Sequence, residues 1–175
     1  MMSIVYLFWM YVILFAVVGG MRGWAKELLV AFSVVLALAL NHVIRRYIPL
    51  ANALPDADIT LFWVRTIVLL VLVFFGYQTV ITISRLAARA ARERLQDTLF
   101  GVILGAFNGY LISGTVLYYL HAADYPFQDV ITRPQEPVLA TVNQMMLYMP
   151  PQLLGEPGIY FAVILAFIFV LVVYI

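Results

Sequence analysis

The chain has 175 residues, 65% hydrophobic and 11% charged, with a formal net charge of +1 and no cysteine. A soluble protein of this size would have an insoluble surface at that composition, whereas a bilayer asks for an apolar exterior. The lack of cysteine removes disulfides, thiolate nucleophiles and cysteine metal sites, and a net charge near zero says nothing about acidic partners, because the charges fall in separate groups between apolar runs.

Met2–Met21, Leu28–Ile44, Thr66–Ser84, Thr98–Ala123 and Pro157–Ile175 contain no Asp, Glu, Lys or Arg. A helix needs roughly 20 mostly apolar residues to cross a hydrocarbon core of about 30 Å. Four of these runs reach that length or fall within tolerance, and Leu28–Ile44 reaches it by recruiting Trp24–Glu27. The expected fold is an all-α membrane bundle of five transmembrane helices with one short interfacial amphipathic helix. It divides into a four-helix unit over 1–122, an extramembrane loop with the amphipathic helix over 123–156, and a fifth span over 157–175. The first run has no basic segment before it and no small-residue cleavage site after it, so it reads as a retained helix.

The connection after the first helix is short. Gly19, Gly20 and Gly23 permit the backbone conformations of a tight helix–helix turn. Arg22 and Lys26 lie there, and Arg85, Arg89, Arg92 and Arg94 follow the third run. By the positive-inside rule these two segments are cytoplasmic, with the N-terminus outside and the C-terminus inside; Arg45 and Arg46 in the second connection oppose that solution. Arg85, Arg89 and Arg92 share one helical face, which suits lipid head groups or plain solvation. Arg65 is placed at the outer end of the third span, where it can snorkel.

The fourth run carries the clearest pattern. Gly101, Gly105, Gly109 and Ser113 repeat every four residues, led by Asp97. Such a stripe lets another helix backbone approach closely, within the chain or in a homodimer. Gly19 with Gly23, and Ser33 with Ala37, are candidates for the opposing face. Asp97 reads either as the N-cap of its own helix or as the partner of Arg22 across two helix ends, with Glu27 and Arg94 as a second pair. Asn108 is expected to hydrogen-bond another helix, with Gln78 as partner.

Arg22-Gly23 with Glu27 resembles the Arg-Gly-x-x-x-Glu signature of the CvpA (colicin V production) family, and Asp97 leading into the glycine-striped helix resembles its second signature. The resemblance covers about residues 1–120. It implies a bacterial inner-membrane protein of ill-defined biochemical role, associated with toxin export and envelope maintenance. In some relatives the helical unit anchors a periplasmic serine protease, for which this chain has no domain.

The Ala123–Glu156 stretch opens as loop. Val138–Met149 then reads as an interfacial helix with Val138, Leu139, Val142, Met145, Met146 and Met149 on its apolar side, to dock a partner or cover its own bundle. His42 and His121 are the candidates for ligating a haem or a chlorophyll-type magnesium, against the plain reading as helix-end residues; no cofactor is expected. The sequence has no nucleophile elbow, His-Glu-x-x-His motif or phosphate loop, and no chain of carboxylates inside the spans. The expected function is a non-enzymatic membrane scaffold. Its partners are the bilayer and other membrane proteins or a second copy of itself, not nucleic acid. The alternatives are an accessory subunit of an energy-transducing complex, and a transporter or channel for which only Asn108, Gln78 and Ser84 offer polarity. Ile175 ends the sequence inside an apolar run without a basic stop, as it would if a C-terminal tail followed.

Overall fold

The computed structural model describes residues 4–78 and 94–174, and every regular element among them is helical. The elements are α1 (Ile4–Arg22), α2 (Trp24–Tyr47), α3 (Pro49–Ala53), α4 (Ile59–Gln78), α5 (Arg94–Ala122), α6 (Val138–Met146), α7 (Pro150–Leu153) and α8 (Gly158–Tyr174). Four of them, α1, α2, α4 and α5 from Leu95, are long and apolar enough to cross a membrane. The fifth, α8, has 17 residues without a charge, the short end of the workable range of about 17–25. It follows α6 and α7 after a bend of 59°. The chain is an all-α, multi-pass membrane protein.

Helix α2 is the hub. Half of its apolar window is buried, against 11% for α1, and it packs on α4, α5 and α8. Its inner face carries Val30, Val34, Ala37 and Leu38, which join Leu69 and Val73 of α4 and Leu111, Ile112 and Leu120 of α5 in the main core. Apolar residues at three- and four-residue spacing place these side chains on one stripe. The outward faces of α1, α4 and α8 keep large apolar side chains exposed, as lipid-facing helices do.

The α1–α2 turn is as tight as its glycines suggest: one residue, Gly23, separates the helices. Its φ of 87° lies in the region that glycine enters without a Cβ penalty. Helix α2 therefore begins at Trp24, and Glu27 is inside it rather than in a loop before it. The chain turns back over the other end of the bundle after α5. There Asp124 and Tyr125 take φ of 53° and 56°, and the Tyr125 N–H donates to the Leu120 carbonyl at 3.0 Å, closing the helix end.

The interfacial helix is shorter than its apolar pattern suggests. It ends at Met146, a turn intervenes, and Pro150 opens α7. Proline lacks the N–H needed to continue a helix and fits its first turn instead. Val142, Met146 and Met149 are buried against Phe8 of α1 and Leu117 of α5, while Asn143 and Gln144 face outward. The Met-rich side covers its own bundle.

A buried polar junction at the Arg22 end

The glycine stripe of α5 lies against α1 at backbone contact. A Cβ built on Gly105 would come within 2.8 Å of the Gly19 Cα, and one on Gly109 within 2.9 Å of the Val12 Cα. Gly101 meets the Gly19 carbonyl, and a Cβ there would also lie 3.3 Å from the Gly23 Cα. Off this four-residue series, Gly114 leaves room for Met149 and Pro150. This face is consumed within the chain, so it is not the homodimer surface allowed above. Ser33 does not oppose the stripe: it faces Gly76 of α4, while its hydroxyl donates to the Leu29 carbonyl at 2.9 Å.

Close approach of α1, α2 and α5 brings their polar residues together. Glu27 is fully buried. Its Oε1 lies 3.2 Å from Arg22 Nη1, and its Oε2 accepts from Asn108 Nδ2 at 2.8 Å. The same Asn108 nitrogen donates to the Glu27 carbonyl at 2.8 Å. A buried carboxylate needs a countercharge and hydrogen bonds to offset its lost hydration, and this one has both. The Arg22 guanidinium carbon sits 4.1 Å from the centre of the Tyr77 ring, and Nη2 donates to the Tyr77 carbonyl at 3.3 Å. Arg22, Glu27, Tyr77 and Asn108 thus tie α1, α2, α4 and α5 at one level.

Asp97 does something else. It lies one turn inside α5, so it is not the N-cap of its own helix; Oδ1 accepts the backbone N–H of Trp24, the first residue of α2, at 3.1 Å. A side chain on Gly23 would collide with this carboxylate, 2.6 Å from Oδ2. Asp97 therefore caps a neighbouring helix and suits the positive end of its dipole. The expected pair Arg22–Asp97 is replaced by Arg22–Glu27; the Arg94 side chain of the expected Glu27–Arg94 pair lies outside the described residues. Helix turns explain the exchange: Glu27, near the start of α2, points into the bundle, and Arg22 is the cation on that side. Asn108 takes Glu27 as partner, not Gln78, which is exposed at the end of α4. Gly20 rests against Val102 of α5. Arg85, Arg89 and Arg92, the proposed head-group contacts, lie outside the described residues.

The opposite end holds a second set of charges. Asp56 pairs with Arg65 of α4 at 3.0 Å and with Arg45 of α2 at 3.4 Å. Arg65 is thus paired rather than a free snorkelling group, and its guanidinium carbon lies 5.6 Å from the centre of the Tyr119 ring. His42, one of the two candidate cofactor ligands, has its Nε2 2.7 Å from Glu156, which also pairs with Arg46 and accepts from Tyr160 at 2.9 Å. These hydrogen bonds, His42 foremost, pull the Glu156 carboxyl down to about 2. His121 Nδ1 lies 3.2 Å from the Tyr125 hydroxyl, and burial pushes that phenol up to about 12. Among the described residues no three His, Asp or Glu cluster to hold a metal.

Asn41, Asp56, Tyr77 and Glu156 are the polar contributors that sequence reasoning passed over. Asn41, a buried amide within an uncharged run, was the one legible signal. Asp97 at the first residue of α2 and Arg22 with Glu27 at the buried junction give both sequence signatures a structural role at one end of the bundle. No curated protein and no solved structure matches the chain. A comparison of families matches residues 4–146 to the family described as colicin V production protein. That match takes in the four long helices and runs on through α6, further than the resemblance over residues 1–120 suggests. The chain belongs to the colicin V production protein family.

Proposed function

We propose that this protein is a non-enzymatic scaffold of the bacterial inner membrane that holds or recruits other envelope proteins. The N-terminus faces outward and the Arg22 end faces the cytoplasm. The observation that carries the reading is how its intramembrane polar groups are used. Glu27 binds both Arg22 and Asn108, and Asn108 has no exposed surface. A conduction or transport path needs polar groups that line a passage. Here the most polar span residues join helices instead, and Gln78 lies on the outer surface of α4. A fixed bundle with apolar outward faces suits a platform in the bilayer. The loop charges support the orientation, since Arg22 and Lys26 share their end of the bundle with the start of α5.

The test is purification of the full chain in mild detergent, followed by mass spectrometry, an absorbance spectrum and flux assays in liposomes. The reading expects a reproducible membrane-protein partner in near-stoichiometric amount and no solute flux. Specific flux, or a protein that emerges alone after crosslinking in cells, overturns it. A partner carrying haem or pigment absorbance selects the accessory-subunit alternative.

A further inference from the structure

At the end opposite Arg22 the helices part around a cavity of about 360 Å³. That volume falls in the range of about 300–1,000 Å³ typical of small-molecule sites and exceeds what one or two ordered waters occupy. Asn41, His42, Arg45, Asp56, Arg65 and Tyr118 supply its polar lining. Its apolar lining includes Leu38 from α2 and Leu154 from the segment after α7.

Three features of this lining define what it can hold. First, the charge is unbalanced toward cations: the guanidiniums of Arg45 and Arg65 face one carboxylate, Asp56. Second, the arginines keep donors to spare. Arg45 gives Nη1 to the carbonyls of Ala51 and Leu54 at 2.9 and 2.8 Å, and its Nη2 meets Asp56. Arg65 gives one bond through Nη2 to the same Asp56 oxygen, and a guanidinium has five N–H groups. Third, Asn41 is only 6% exposed, and its Oδ1 is buried without a hydrogen-bond partner. Its Nδ2 is satisfied by the Arg65 carbonyl at 3.1 Å and the Tyr119 hydroxyl at 3.2 Å, so the amide orientation is set and Oδ1 is left as an acceptor. A buried acceptor without a donor costs about 1–3 kcal/mol, which a bound hydroxyl or ammonium would relieve.

We propose that this cavity binds a phosphate ester with a neighbouring hydroxyl or ammonium donor, supplied by the head group of a membrane phospholipid. Arg45 and Arg65 contact the phosphate, bidentate geometry being what guanidinium offers such an anion. The donor on the head group reaches Asn41 Oδ1. Leu38 and Leu154 take the first carbons of the lipid. The cavity lies where three membrane helices end, the depth of the head-group region.

The experiment uses the full chain, delipidated in detergent and read by native mass spectrometry and thermal unfolding. The probes are phosphatidylethanolamine, phosphatidylglycerol, diacylglycerol and glycerol 3-phosphate. The expected result is saturable one-to-one retention of both phospholipids with a raised Tm, and no such effect of diacylglycerol. Glycerol 3-phosphate binding as tightly as phospholipid keeps the phosphate-ester site and assigns it to a free ester rather than a lipid. Arg45→Gln, which removes a phosphate donor, and Ala122→Phe, which fills the cavity from α5, each weaken binding at least tenfold. Ala122→Phe decides the case if Arg45→Gln fails to fold, because residue 122 is partly exposed at a helix end. Equal retention of diacylglycerol and phospholipid, or undiminished phospholipid binding by a folded Ala122→Phe protein, overturns the proposal.

Discussion

Replacing Gly105 by alanine adds one methyl group, yet it acts where the backbones of α1 and α5 touch, against the Phe15 carbonyl and Gly19. The new Cβ would lie 2.8 Å from the Gly19 Cα and 3.1 Å from its nitrogen. Carbon pairs prefer about 3.5–4.0 Å, so the helices must separate by close to 1 Å. Both neighbours are backbone atoms and cannot rotate away. A gap of that size forfeits a quarter to a half of each dispersion contact along the seam, including those at Gly101 and Gly109. Overpacking costs about 1–3 kcal/mol, and the rigid surroundings place this site in the upper half. Alanine favours helix over glycine by about 1 kcal/mol, which offsets part of the loss. The net expectation is about 1–2 kcal/mol of destabilisation, and more for Gly105→Leu. Reversible unfolding in mixed detergent measures it. Gly155→Ala is the control, because a Cβ there meets nothing nearer than the Gln152 carbonyl at 3.5 Å. It should change stability by less than about 0.5 kcal/mol. A Gly105→Ala protein as stable as its parent would refute the close-packing argument.

The buried junction predicts that Glu27→Ala costs about 3–5 kcal/mol, since it strips Arg22 of its countercharge and leaves Asn108 only the backbone carbonyl of residue 27; Glu27→Gln keeps the Asn108 contacts and should cost less, which the same unfolding assay reads. Double-mutant cycles should give a larger coupling for Arg22 with Glu27 than for Arg22 with Asp97, and the reverse order would contradict the assigned pairs. The Glu156 carboxyl sits at about 2 when folded against an ordinary 4.5. Its lowered value means that its contribution is fully present above about pH 4.5 and fades as pH falls toward 2. Unfolding followed from pH 6 to pH 3 should show that loss, and Glu156→Gln should flatten it.

Much of this architecture is legible in the sequence because a bilayer makes strict demands. Long uncharged runs announce the spans, and the Gly101–Gly105–Gly109 spacing announces a face that must meet another backbone. What the sequence leaves open is which polar group meets which. Arg22 has both Glu27 and Asp97 within plausible reach, and choosing between them depends on how α2 is rotated about its axis. That rotation follows from Gly23, whose φ of 87° reverses the chain in one residue and puts the Trp24 N–H in front of Asp97. Asn108 could be recognised as needing a partner, but which helix supplies it depends on that same rotation of α2. The charged cluster at the other end was harder still. Asp56 and Glu156 look like ordinary loop residues until the fold carries them to Arg65 and His42.

The scaffold reading is tested most directly by photo-crosslinking in living cells from α8. This helix leans on α2, with Phe167 against Phe32, and leaves Leu165 67% exposed. A photoreactive residue at Leu165 should capture another membrane protein as one discrete adduct, while the same probe at buried Val34 should not. Lipid adducts alone from Leu165, and equally from exposed Phe161 and Phe169, would contradict the account.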